Sequence, residues 1–177
     1  MKSDRLLGRK LFVCFNYTHT VDKLYLKNTS FKDDVNYLHG ELDDSSNPII
    51  FGYSDNVDTE FGYMKESSNR DFLTNIKPLN FVTDNYRKVL DFIRSGNFVV
   101  KILGHSCGQS DRYILSKIFE HENCQGIEIY HYKNDFPEDD YREKKTEIFG
   151  HLKDKDINVL VSPFNRYNKM PQNPKKN

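Results

Sequence analysis

The segment FVVKILGHSCGQSD, residues 98–111, carries the strongest structural signal in the chain. Phe98–Leu103 is the most apolar run and predicts a buried strand. Gly104 and Gly108 permit a tight turn after it, and Ser110 or Asp111 can cap the helix that follows. In an open α/β sheet, a turn that joins the carboxyl end of a strand to a helix is the usual ligand site.

The rest of the chain continues this alternation of short apolar strands and amphipathic helices. Strands are predicted at 11–15, 35–38, 49–52, 126–131 and 157–161, and helices at 84–94, 114–119 and 141–152. This order predicts an α/β fold with three layers and a mostly parallel sheet. We expect a single domain over residues 1–165, with a long polar excursion at 53–84, in which Phe72 and Leu73 could begin a short helix, and a disordered tail at 166–177.

Composition excludes several classes of protein. Lys and Arg number 26, as do Asp and Glu, so the formal net charge is zero and no basic patch for nucleic acid or an anionic membrane is evident. No apolar run approaches the length of a membrane span, and residues 1–10 lack the apolar segment of a signal peptide. The three cysteines form no Cys-x-x-Cys pair, which argues against a disulfide framework or a four-thiolate zinc site and predicts a cytoplasmic protein.

Two further strand ends carry polar side chains. Asn16 and Thr18 follow the first predicted strand, and His39 precedes Gly40 after the second. Polar residues just past the carboxyl ends of buried strands face the crevice where open sheets bind ligands. The alternative is that Asn16 and Thr18 only satisfy the backbone of a turn and that His39 is structural.

The turn at 104–108 also fits the Gly-x-Ser-x-Gly motif of serine hydrolases, with Ser106 as nucleophile. Asp135 or Asp139 and then His151 follow in the order that such a triad requires. A serine hydrolase is therefore one alternative. A non-enzymatic interaction module, with the polar excursion as its partner surface, is another.

Three strand ends, at 15–20, at 37–40 with 49–52, and at 104–111, together resemble the AbiH family of bacterial abortive-infection proteins, over about Leu11 to Tyr132. That family is similar to the sirtuin-like NAD-binding domains, which have a Rossmann-like fold. The resemblance implies defence against phage, NAD as the cofactor, and possible cleavage of the nicotinamide–ribose bond.

By position, the resemblance implies that Asn16 contacts the nicotinamide ribose and that His39 is the general base. It places Gly104, His105 and Ser106 in the turn that receives the phosphates or the adenine ribose, with Ser106 as a hydrogen-bond donor. Thr18 and Asp111, at the same strand ends, complete the predicted cofactor contacts.

Two features differ from the relatives. The four-cysteine zinc module of sirtuin deacylases is missing, which argues against protein deacylation. Family members usually begin with a Gly-Asn-Gly-Phe-Asp-type loop, and none precedes Leu11 here. We therefore expect a fold that is incomplete at its amino terminus, and either another polypeptide that supplies this unit or a chain that is inactive in isolation.

Overall fold

The computed structural model describes residues 8–24, 26, 35–52, 76–132, 140–165 and 167–170. The contacts divide the chain into two units. Unit 1 holds the described residues up to 51 together with 79–92, and unit 2 holds residue 52, 76–78 and the described residues from 93 onward.

Unit 1 is built around a parallel pair of short strands, β1 (Phe12–Cys14) and β2 (Val35–Tyr37). Helix α1 (Thr20–Leu24) follows β1. The register pairs Cys14 with Tyr37, so the two strands end side by side. The buried apolar side chains of this unit are Cys14, Leu26, Tyr37, Leu38, Ile50 and Val89.

Two helices follow in the chain, α2 (Lys77–Asn80) and α3 (Thr83–Arg94). The apolar positions of α3 recur at helical spacing, and Val89 and Ile93 are buried. Within unit 1, the buried Asn36 on β2 donates from Nδ2 to the carbonyl oxygen of Asn85 on α3, at 2.7 Å. The Nδ2 donor of this buried amide is thereby paired.

Unit 2 contains a second parallel pair, β3 (Phe98–Leu103) and β4 (Cys124–Tyr130), with a register shift between Phe98 and Val99. A short 3₁₀ turn (Gln109–Asp111) leads into α4 (Arg112–Phe119). Helices α5 (Tyr141–His151) and α6 (Ile157–Leu160) complete the unit. Its buried apolar residues include Ile102, Ile114, Leu115, Ile118, Phe119, Ile127, Ile129 and Ile148.

Two predicted strands are wrong. Residues 49–52 form no strand, although the Ile50 amide donates to the carbonyl oxygen of His39 at 2.9 Å. Residues 157–160 form helix α6, because Asp156 caps it by accepting the Asn158 amide at 2.8 Å. Val161 alone of this segment pairs with a strand, through a parallel bridge to Ile127 on β4.

The strand β3 forms where it was predicted, but it is not buried along its length. Ile102 is buried, whereas Val99 and Leu103 are almost half exposed. A continuous apolar run therefore does not require burial on both faces.

The predicted excursion ends too late, since α2 and α3 begin before residue 84. Residues 53–75, including Phe72 and Leu73, lie outside the described residues. The predicted disordered tail starts too early, because the backbone of His131 exchanges hydrogen bonds with Asn168 and Met170, at 3.0 and 2.9 Å. The single domain over 1–165 stays a prediction.

The prediction of a mixed α/β fold with parallel strands is confirmed. Within the part of the chain that the structure describes, the strands form two sheets of two strands each. A three-layer Rossmann-like sheet, incomplete at its amino terminus, stays a prediction. No helix among the described residues is long and apolar enough to cross a bilayer.

Candidate functional site

Unit 1 brings together the polar side chains that the first two strand ends were predicted to offer. The Leu38 amide donates to the Cys14 carbonyl oxygen at 3.1 Å, and the Leu42 amide donates to the Tyr17 carbonyl oxygen at 2.8 Å. These bonds hold the segment after β1 beside the segment after β2. Asn16 and Thr18, both exposed, therefore lie at the same sheet edge as His39.

His39 is the most enclosed of the predicted site residues. Its side chain is 3% exposed. The Phe15 ring meets it edge-on at 5.1 Å between centroids, and the Phe81 ring is stacked with it at 6.2 Å. Gly40, which follows, has a φ of +92°, a conformation that L side chains rarely adopt. The His-Gly pair thus combines a ring packed among aromatic rings with a turn that needs glycine.

A cluster of titratable side chains lies at the same edge and was not predicted. We call it the His19 cluster, consisting of His19, Asp22, Tyr37 and Glu41. His19 Nδ1 lies 3.4 Å from Asp22 Oδ2 and 3.7 Å from Glu41 Oε2. The Tyr37 hydroxyl donates to Asp22 Oδ2 at 2.5 Å, and its ring stands edge-on to the His19 ring at 5.2 Å.

Burial and the nearby carboxylates keep two groups at this edge neutral, Tyr37 of the cluster and its strand partner Cys14. Burial, followed by the hydrogen bond with the Asp22 carboxylate, raises the pKa of Tyr37. Burial is also the main cause that raises the pKa of the Cys14 thiol, with smaller contributions from the Asp22 and Glu41 charges. Tyr37 therefore remains a hydrogen-bond donor, and Cys14 remains a thiol.

The second predicted site is the turn at 104–111 in unit 2, where side chains of the turn accept hydrogen bonds from two of its backbone amides. Gly104 and Cys107 have positive φ values of 71° and 60°. The Cys107 amide donates to His105 Nδ1 at 2.9 Å, and the Gly108 amide donates to Ser106 Oγ at 3.4 Å. These two amides are therefore used by side chains of the turn itself.

The other ring nitrogen of His105 faces a buried ion pair. His105 Nε2 lies 3.3 Å from Asp111 Oδ2, and Asp111 Oδ1 accepts from Lys77 Nζ at 3.0 Å. Since Nδ1 accepts from an amide, Nε2 carries the proton and points it at the carboxylate. Asp111 stands at the N-cap position of α4 but makes no side-chain cap bond, so the predicted cap is replaced by this ion pair.

Among the described residues, His151 is not placed as the base that a serine hydrolase would need. His151 is fully buried, and its Nε2 donates to the Cys107 carbonyl oxygen at 2.6 Å. The non-glycine residue with positive φ in the turn is Cys107 rather than Ser106, and burial raises the pKa of its thiol to about 12. Asp135 and Asp139 lie outside the described residues. His151 acts as a structural link between α5 and the turn.

That link predicts an acid-sensitive unit 2. Burial lowers the pKa of His151 below its ordinary value of 6.5, although the bond to Cys107 opposes this. Below pH 6.5 the unfolded chain binds a proton that the folded chain excludes, so stability falls with pH until the lowered folded pKa is reached. We expect the urea midpoint to fall from pH 7.5 to 5.5 and to fall less in His151→Gln. An equal fall in both proteins would contradict this role.

No group of three or more His, Cys, Asp or Glu side chains in the described ranges is arranged to hold a metal ion.

The chain was also compared with known proteins. A family model described as "Bacteriophage abortive infection AbiH" matches residues 2–132, more than half of the chain. No curated protein and no solved structure matches. The chain therefore belongs to the AbiH family, whose description indicates a role in abortive infection against bacteriophage.

Proposed function

We propose that this AbiH protein binds a nucleotide such as NAD at the carboxyl ends of β1 and β2 and cleaves its nicotinamide–ribose bond. One observation carries the proposal. Two sequence segments, 15–20 and 37–42, are apart in the chain but meet at one edge of a parallel strand pair in unit 1. In α/β proteins this edge is where ligands bind.

The residues at that edge suit the sugar part of such a ligand. The carboxylates of Asp22 and Glu41 and the side chain of the exposed Asn16 can bond to ribose hydroxyls. Two histidines, His19 and His39, lie at this edge, and histidine is the usual acid or base at neutral pH. NAD would supply a cationic nicotinamide that leaves as a neutral molecule, which is the chemistry that makes this bond cleavable.

By itself, the turn in unit 2 is a separate candidate for contact with a phosphate or a ribose. Small residues at a helix start favour an anion, but the Cys107 and Gly108 amides already have partners within the turn. The exposed Ser106 hydroxyl can donate to a phosphate or a ribose, and we assign it that role rather than that of a nucleophile.

Ligand binding is tested by thermal unfolding with NAD, ADP-ribose and ATP. A ligand that binds only the native state stabilises it by about 2.7 kcal/mol at a hundred times its Kd, which raises Tm by several degrees. We expect a saturable rise with NAD or ADP-ribose that Asn16→Ala reduces at least tenfold in apparent affinity. Asn97→Ala, an exposed position in unit 2, is the matched control and should bind as the wild type does.

Two outcomes would contradict the proposal. If none of the three nucleotides raises Tm, the edge of β1 and β2 does not bind this class of ligand. If the rise survives in Asn16→Ala, the nucleotide binds elsewhere on the chain.

A further inference from the structure

Of the two histidines at the edge of β1 and β2, only His19 is open to a ligand. The His19 side chain is 40% exposed, whereas His39 is 3% exposed, with the Phe15 and Phe81 rings against its ring. A general base must come within about 3 Å of the proton that it takes. A ligand can reach His19 without displacing either phenylalanine ring.

The surroundings of His19 orient its ring for this task. Nδ1 faces the carboxylates of Asp22 and Glu41, at 3.4 and 3.7 Å, and therefore carries the proton of the neutral ring. Nε2 is then the basic nitrogen. A histidine whose Nδ1–H faces a carboxylate is held in one tautomer and one ring orientation.

The orienting carboxylates are themselves fixed. Asp22 Oδ2 accepts from the Tyr37 hydroxyl at 2.5 Å, and Glu41 Oε1 accepts from Asn47 Nδ2 at 3.0 Å. Asn47 is buried and also donates to the Tyr37 carbonyl oxygen at 3.0 Å, so this support is anchored to β2. Such second contacts are what distinguish a positioned base from a surface histidine.

Space for a ligand adjoins the cluster. Glu41 lines a shallow depression of about 440 Å³ in unit 1. The other lining residues are Asp43, Asp44, Ser45, Pro48 and Ile49. The lining is acidic and holds no basic side chain, so it suits hydroxyl or cationic groups and disfavours phosphate.

We propose that His19, oriented by Asp22 and Glu41, and not the enclosed His39, is the general base that acts on the ribose end of the nucleotide. This rests on the proposed function. In the step, Nε2 takes a proton from water and the water oxygen bonds to C1′ of the ribose. The bond from C1′ to the nicotinamide nitrogen breaks, and its electron pair stays on the nicotinamide.

The test measures nicotinamide release from NAD by the full chain. Loss of a general base costs about 10²–10⁴-fold, so we expect His19→Ala to lose at least about 100-fold in kcat. Added imidazole should restore part of that loss, because the position is open to solvent. Asp22→Asn should lose about 10-fold, and the exposed Lys23→Gln on the same helix should keep wild-type activity.

The outcomes separate the two proposals. If the wild type releases nicotinamide and His19→Ala does so equally fast, His19 is not the base, although the proposed reaction stands. A loss in His19→Ala that imidazole does not restore would make His19 structural and would also overturn the proposal. If the wild type releases no nicotinamide, the proposed function fails and the role of His19 fails with it.

Discussion

Gly40→Ala is expected to destabilise unit 1 by about 2–5 kcal/mol. A Cβ at this position would lie 2.2 Å from the Pro48 carbonyl oxygen and 2.7 Å from Ile49 Cα, and these are backbone atoms that cannot rotate away. The φ of +92° adds a conformational penalty of about 1–2 kcal/mol, and overpacking adds about 1–3 kcal/mol. The measurement is the free energy of unfolding in urea.

Two other glycines are matched controls for this substitution. Gly96 also has a positive φ, of 152°, but an added Cβ would meet nothing within 4 Å. Gly96→Ala therefore isolates the cost of backbone conformation. Gly8 has open space around it and no φ in the positive range, so Gly8→Ala should show neither the conformational cost nor the packing cost. If Gly40→Ala lost no more stability than Gly96→Ala, the close packing of Pro48 against Gly40 would be wrong.

The same packing explains why His39 is followed by glycine. The loop from Glu41 to Ile50 returns to this point, with the Glu41 amide donating to Asn47 and the Ile50 amide donating to His39. A side chain at position 40 would push the loop away and with it Glu41, which faces His19. Gly40 thus allows the loop to pack closely, which keeps Glu41 beside the proposed base His19.

Helices and strands were predictable where periodicity is strong and local. The stripe Ile114, Leu115, Ile118 and Phe119 predicts α4, and the run at 98–103 predicts β3. The short apolar run at 157–161 was ambiguous, since a strand and a buried helical turn look alike over five residues. Asp156, which accepts the Asn158 amide, is the cap residue that distinguishes the helix from a strand.

The candidate site was predictable at its strand ends and not beyond them. Asn16, Thr18 and His39 follow from their positions after apolar runs. Tyr37 and Asp22 meet only because β1 and β2 pair in one register. Neither strand's sequence alone predicts that register. His19 lies in the segment 15–20 that follows the first strand, and Asp22, three residues later, is the local signal for a paired histidine.

Burial was the property that sequence reasoning could not supply. His39 was predicted at a strand end, where side chains are usually accessible, but the Phe15 and Phe81 rings enclose it. Phe81 lies in the stretch predicted as a polar excursion, so its contact with His39 could not be predicted from the sequence. Lys77 was missed for the same reason, although it holds the turn at the other predicted site.

Lys77→Met is expected to destabilise unit 2 by about 3 kcal/mol, because removing one partner of a buried ion pair leaves the other charge uncompensated. The Lys77 and Asp111 side chains are only 11% and 10% exposed. Lys101→Met is the control. Its pair with Glu128, at 3.3 Å, lies on the surface and should contribute less than about 1 kcal/mol.

Adding Asp111→Asn to Lys77→Met removes the uncompensated charge while keeping the size of the side chain, and we expect it to recover at least half of the lost stability. His105 makes this double variant informative, because its Nε2–H would then face an amide oxygen instead of a carboxylate. If urea unfolding shows that the two substitutions simply add, Lys77 and Asp111 are not coupled. Coupling would mean that Lys77, 34 residues away in the chain, holds the Asp111 carboxylate in place. That carboxylate orients the His105 ring. His105 Nδ1 in turn accepts the amide of Cys107, a residue with a positive φ.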